Sequence, residues 1–181
     1  DLAALLSQRL GIRMLDRELI DELWKNDPEM QQLAQQYDER PVNRILSRRI
    51  NEFDNSIPHN VAQRQFDMIR QIADSGESAI FVGRCADYAL AGRPGLLRIF
   101  CRADLGLRIR RIEQRHNLSK KKAALLVAKT DRHRRVYYHH HTGQFWGHSS
   151  CYDLTVNTGV LGVEKTAETM EAFIRAFWEQ D

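Results

Sequence analysis

Leu2, Leu5, Leu6 and Leu10 recur at helical spacing and Gly11 follows, so the chain opens inside an amphipathic helix with a glycine at its carboxyl cap. Ile12 to Leu15 is a short apolar run closed by Asp16, the pattern of a buried strand. From Arg17 to about Ala73 the pattern turns helical and polar, with breaks near Pro28, Pro41 and Pro58, which predicts a long helical excursion between strands. Ala79-Ile80-Phe81-Val82-Gly83 follows the Ser75-Gly76 turn, and Leu96-Leu97-Arg98-Ile99-Phe100-Cys101 follows Gly92-Arg93-Pro94-Gly95; both read as buried strands. Asp104 then starts a helix in which Leu105, Ile109 and Ile112 form a core stripe, with Arg108, Arg111 and Arg115 on a second stripe. Ser119 caps the next helix, which runs through Ala123, Leu126 and Val127 to about Tyr138. Asp153-Leu154-Thr155-Val156-Asn157 is the last strand, and Val163, Ala167, Met170, Ile174 and Phe177 make the core face of a closing helix.

Short apolar strands alternating with helices, each strand buried on both faces, predict a doubly wound parallel α/β sheet. In such sheets ligands sit at the carboxyl ends of the strands. Polar candidates cluster there: Asp16 and Arg17 after the first strand, Gly83, Arg84 and Asp87 after the second, Arg102 and Asp104 after the third, Asn157 after the last. Each also has a plainer role, with Asp16 and Asp104 as helix caps and Arg84 and Asp87 as partners of each other.

The 181 residues fit one domain large enough to bury a core, and 43% hydrophobic content is ordinary for a globular protein. The longest apolar runs fall well short of the roughly 20 residues a bilayer crossing needs, and no signal-peptide pattern opens the chain, so a cytoplasmic location is expected. Cys85, Cys101 and Cys151 lie far apart with no CxxC pair, which predicts reduced thiols and neither a disulfide framework nor a zinc site. A net charge of +3 conceals a strong asymmetry. Residues 102 to 135 hold twelve Lys/Arg against three acids, a balance of +9, so the remainder carries −6. Such a basic third suits a polyanionic ligand, either a nucleotide or a nucleic-acid backbone, while the Lys120-Lys121-Lys122 triplet reads equally as a solvated face.

Within that third lies Lys129-Thr130-Asp131-Arg132-His133-Arg134-Arg135-Val136-Tyr137-Tyr138, one carboxylate set among cations. A small polyphosphate ligand asks for charge neutralisation from several directions and one acceptor for a hydroxyl, which this stretch offers. Asp131 also stands at i,i+3 and i,i+4 from Arg134 and Arg135, so a plain surface ion pair is the alternative. His139, His140 and His141 are adjacent and so point in different directions, with no carboxylate pattern to complete a metal site. Trp146 between Gly143 and Gly147 suits either stacking on a base or plugging a loop to the core.

Gly11 with Ile12 through Ile20, Phe81-Val82-Gly83-Arg84-Cys85-Ala86-Asp87-Tyr88, Lys129-Thr130-Asp131-Arg132-His133-Arg134, Thr142-Gly143-Gln144-Phe145-Trp146-Gly147 and Tyr152-Asp153-Leu154-Thr155-Val156-Asn157-Thr158 together resemble the cytidylate kinase-like family of P-loop nucleoside monophosphate kinases. The resemblance runs from the first residues to the last helix. Across residues 21 to 75 it rests on helical character alone. It implies one P-loop kinase-type domain over 1–181, with a helical acceptor-binding region over about 17–75 and an arginine-rich lid with basic helices over about 104–150. It further implies ATP as phosphoryl donor, magnesium as the metal and a pyrimidine monophosphate such as CMP as acceptor.

By the same resemblance Arg108 and Arg111 are lid residues that reach the donor phosphates. Arg84 with Asp87 forms the acceptor-recognition segment, Asp131 accepts from a sugar hydroxyl, Arg134 holds the acceptor phosphate and Lys129 joins them. Asp16 takes the place of the acidic group near the acceptor or the metal's water shell. Two departures from the family pattern stand out. No GxxxxGK[ST] or loose glycine cluster occurs, and the family's phosphate loop and first strand directly precede the helix that opens this chain. The loop that binds the donor nucleotide is therefore expected to precede Asp1, and Asp1 to lie inside a longer protein. The family also sets the arginine and aspartate of the acceptor segment side by side, whereas Cys85 and Ala86 separate Arg84 from Asp87 here. The alternatives to a kinase are an inactive nucleotide-binding pseudokinase and a nucleic-acid-binding regulator using residues 102 to 135. Against the latter, no RRM, KH, zinc-finger or helix-turn-helix signature occurs, and the basic residues interleave with a helix core stripe.

Overall fold

The computed structural model describes residues 1–16 and 57–179, so the region expected to be a helical excursion lies outside the described residues up to residue 56. The described elements run α1 (Leu2–Leu10), β1 (Arg13–Leu15), α2 (Ile57–Asp74), β2 (Ala79–Phe81), α3 (Ala86–Ala89), β3 (Ile99–Arg102), α4 (Leu105–His116), α5 (Lys120–Thr142), a 3-10 turn (Ser149–Cys151), β4 (Leu154–Asn157) and α6 (Thr158–Trp178). Most caps follow the sequence. Gly11, at φ 69°, ends α1 by donating its N–H to the Ser7 carbonyl, and the Ser119 hydroxyl accepts from the Lys122 N–H at the start of α5. Asn157 closes β4 and opens α6, its side chain accepting from the Gly159 N–H at 3.0 Å. At the other end of the chain Asp1 is the N-cap residue of α1, but its side chain makes no capping hydrogen bond. Its Oδ1 accepts instead from Arg115 Nη2 of α4 at 3.2 Å, an exposed tie between the first helix and the basic one.

Among the described residues the strands pair in parallel, β1 with β2 in the register Met14 opposite Ile80, and β3 with β4 in the register Phe100 opposite Thr155. The described residues thus show a mixed α/β protein with small parallel sheets, as the α/β class expected from the sequence requires. Burial on both strand faces is not observed. Among the described strand residues Arg13, Cys101, Arg102 and Thr155 are exposed.

Two apolar clusters hold these pieces. One packs the leucine face of α1 onto Ala167, Met170 and Ile174 of α6, with Ile80, Ile99, Leu154 and Val156 against it, so strands from both pairs contact one cluster. The other gathers Ala62, Phe66 and Ile69 of α2, residues 85, 86, 89 and 90 at α3, and Tyr137 and Tyr138 from the end of α5. Each fully buried aliphatic side chain, such as Leu15 or Ile69, contributes about 1.5–3 kcal/mol. The core stripe expected on α4 is corrected at its first position: Leu105 is 60% exposed, while Leu107 turns inward toward Gly159. A β-carbon on Gly159 would stand 2.8 Å from Leu107 Cδ1, so α4 meets the start of α6 through a glycine-sized gap. On α5, Ala123 and Val127 are buried but Leu126 rotates outward, because α5 packs along α4 on a face that includes Asp131.

Candidate functional site

The turn after β2 is the most strained backbone among the described residues. Gly83, Arg84 and Cys85 take φ values of 77°, 59° and 52°, three left-handed residues in succession, two of them with side chains. Such conformations cost roughly 1–3 kcal/mol at each non-glycine residue and persist where the surroundings enforce them, which is common at ligand sites. Here Arg84 and Cys85 are both buried. The turn closes through the Ala86 N–H to the Gly83 carbonyl at 3.1 Å and delivers Asp87, half-buried, onto the first turn of α3.

Asp87 meets α5. The Tyr138 hydroxyl donates to Asp87 Oδ2 at 2.6 Å and lies 3.1 Å from Gln144 Oε1. A phenol has one proton, and the shorter contact to the carboxylate takes it; half a turn of the Gln144 amide then places its NH2 as donor to the tyrosine oxygen. Burial first, and the neighbouring Asp87 carboxylate second, push the Tyr138 hydroxyl far above the ordinary tyrosine range, so it remains a donor.

Two turns back along α5, Asp131 accepts from Arg108 of α4, with Nη2 and Oδ2 2.6 Å apart and side chains 29% and 19% exposed. This pair stands in place of the one with Arg134 or Arg135 that the spacing allows. Asp131, Arg134 and Tyr138 stand at i, i+3 and i+7, so one face of α5 carries all three, with its ends tied to the basic helix α4 and to the turn after β2. Arg134 is exposed on that face, Lys129 is exposed earlier on α5, and Arg111 is exposed on α4. Asp16 stands half-buried at the carboxyl end of β1. Asp104 and Asn157, after β3 and β4, meet at 3.4 Å through Asn157 Nδ2.

The phosphate loop expected ahead of Asp1 lies outside the described residues. Asp1 itself is no substitute for it, since its carboxylate is negative and already faces Arg115.

The loop from Thr142 to Tyr152 braces this assembly. Trp146 packs edge-on to Phe100 with ring centres 5.2 Å apart, Tyr152 lies 4.9 Å from the same ring, and the Tyr152 hydroxyl accepts from the Gly147 N–H at 3.3 Å. Trp146 is therefore a plug against the core, the second of its two sequence readings. Gly147, at φ 80°, has Phe100 Cζ 2.9 Å from where a β-carbon would stand, so backbone and ring meet only because the residue is glycine. His139 stacks on Phe145, and His141 lies edge-on to Phe66 and tilted on Tyr137, so these rings serve as packing groups. Asp153 grips Arg98 by both oxygens, at 2.6 and 3.1 Å, and also accepts the Arg98 N–H at 2.7 Å. The Arg98 side chain accordingly holds the Asp153 carboxyl below the usual carboxylate range, against the opposing effect of burial.

Chemically, the α4–α5 face offers guanidinium groups at fixed spacing around one carboxylate, a donor set suited to phosphate oxygens and a hydroxyl. Magnesium held mainly by nucleotide phosphates needs only one or two protein carboxylates, and the strand-end residues Asp16 and Asp104 are of the right kind. Among the described residues no group of three His, Cys, Asp or Glu forms a self-sufficient cation cage. Tyr138, Arg98 and Tyr152 were missed as site-shaping residues; for Tyr138 the signal was its i+7 spacing from Asp131.

A family model described as the cytidylate kinase-like family matches residues 1–160. No curated protein matches. Among solved structures, the crystal structure of an uncharacterized protein from Eubacterium ventriosum ATCC 27560 is similar with a TM-score of 0.75 and 24% identity, covering 96% of this chain and 89% of that one. That likeness concerns the fold.

Proposed function

Because the chain belongs to the cytidylate kinase-like family, we propose that it is a nucleoside monophosphate kinase that transfers the γ-phosphoryl group of ATP to a pyrimidine monophosphate such as CMP. The observation that carries this reading is the α5 face on which Asp131, Arg134 and Tyr138 stand between Arg108 of the basic helix and Asp87 of the strained turn. Phosphoryl transfer asks a protein mainly for positioning and for cations around the moving oxygens. Arg108 and Arg111 take the donor phosphates, Arg134 holds the acceptor phosphate with Lys129 beside it, and Asp131 accepts from a sugar hydroxyl. Arg84 and Asp87 recognise the acceptor. Asp16 acts near the acceptor or the water shell of magnesium, and that ion bridges and neutralises the donor phosphates when bound.

Arg108 and Asp131 satisfy each other. A polyphosphate competes for the guanidinium, and its arrival releases the Asp131 carboxylate for the sugar, so occupancy of the donor side prepares the acceptor side. The pair is partly solvated and contributes only about 1 kcal/mol, little enough for a ligand to displace.

ADP formation by the full-length protein with magnesium, ATP and each of CMP, UMP, AMP and GMP tests the reading. Turnover is expected to be fastest with a pyrimidine monophosphate. Tight nucleotide binding with no turnover on any acceptor establishes a pseudokinase, and salt-sensitive oligonucleotide binding without mononucleotide binding establishes a nucleic-acid-binding protein.

A further inference from the structure

Tyr138 has no part in the roles assigned above, yet α5 reaches the strained turn through it. Its side chain is 5% exposed and its hydroxyl donates to Asp87 Oδ2 at 2.6 Å. Asp87 sits on a four-residue helix entered directly from three left-handed residues, so its own element does little to fix its side chain. Among the described residues the other carboxylate oxygen, Oδ1, receives no hydrogen bond, and the residue is half-buried rather than enclosed. A carboxylate bound at one oxygen by a buried phenol loses its rotational freedom and presents the second oxygen in one direction. Behind the phenol stand Gln144, 3.1 Å away, and the loop whose Gly147 N–H binds Tyr152, so the donor itself is braced.

We propose that Tyr138 is the positioning residue that aims the free edge of the Asp87 carboxylate at the acceptor nucleotide. This rests on reading the turn after β2 as the acceptor segment. Tyr138 acts only through Asp87 and touches no reacting atom. It also links the two ends of the site, since the same face of α5 carries the Asp131 that pairs with Arg108. Acceptor orientation and the basic helix are thereby referred to one rigid element.

A double-mutant cycle on the full-length protein tests this, with binding of CMP and of ATP measured by calorimetry. Tyr138→Phe keeps the ring and removes one hydroxyl; it is expected to raise the CMP dissociation constant about tenfold while that for ATP changes less than about twofold. Asp87→Asn is expected to weaken CMP as well, and in that background Tyr138→Phe is expected to add less than about a further twofold, because the two act as a unit. A fall in melting temperature with CMP affinity unchanged in Tyr138→Phe overturns the proposal, as do penalties that simply multiply in the double variant. Wild-type protein that binds no monophosphate at all overturns the acceptor reading together with the proposal, a result distinct from either of those.

Discussion

Arg134 lies exposed between Asp131 and Tyr138 on α5, where a planar guanidinium can grip one phosphate through two parallel donors. Lysine keeps the charge but loses the fork, so Arg134→Lys is expected to raise the KM for the monophosphate by about tenfold or more and leave the KM for ATP within about twofold. Steady-state kinetics with each substrate varied in turn checks the split, and equal losses for both substrates would contradict the assignment of Arg134 to the acceptor. At this scale, residue type and local spacing made Asp131 and Arg134 legible as candidates: one acid among cations on a helix. The partner of Asp131 was not legible. Arg108 is 23 residues away and wins over the adjacent Arg134 and Arg135 because α4 folds back on α5, a contact no local pattern encodes. Tyr138 was hidden for the same reason, its carboxylate partner lying 51 residues earlier.

Among the elements, α1 and α5 were the most legible, since an apolar stripe with Gly11 or Ser119 at an end combines periodicity with a cap, and α6 showed by its stripe alone. Leu105 was misread because it occupies the first turn of α4, where the helix has no neighbour over it, and Leu107 meets Gly159 instead. The β3–β4 unit is fastened at its entrance by Arg98 and Asp153, and this pair gives the unit a pH dependence. The Asp153 pKa is depressed in the folded protein, so its contribution is fully present above the unfolded value of about 3.9 and is lost as pH falls through the folded value. Asp153→Asn is therefore expected to cost ~1 kcal/mol at neutral pH, solvent screening included, and to flatten the loss of stability below about pH 4. Urea titrations of both proteins at pH 7 and pH 3 check this. An equal deficit at the two pH values would place the effect in packing rather than in the ion pair.

For the molecule as a whole, the sequence made the α/β class and the polarity of charge legible, with a +9 third on an otherwise acidic body. It did not reveal which described strands are neighbours. Parallel pairing joins segments such as Arg13–Leu15 and Ala79–Phe81, more than sixty residues apart, and depends on what packs between them. Shared burial of Ile80 with Ile99, Leu154 and Val156 under α1 and α6 makes one body of both strand pairs, so the turn after β2 and the basic helices have a common support. No described helix is long and apolar enough to cross a membrane. On the proposed function, the cationic groups of α4 and α5 and the carboxylate of Asp87 face two anionic reactants between which a phosphoryl group passes. Phosphorus NMR of the full-length protein with ATP, magnesium and CMP tests that most directly: the account predicts CDP and ADP appearing in equal amounts as the ATP signals decline, whereas unchanged ATP, or ADP formed only with inorganic phosphate, would contradict it.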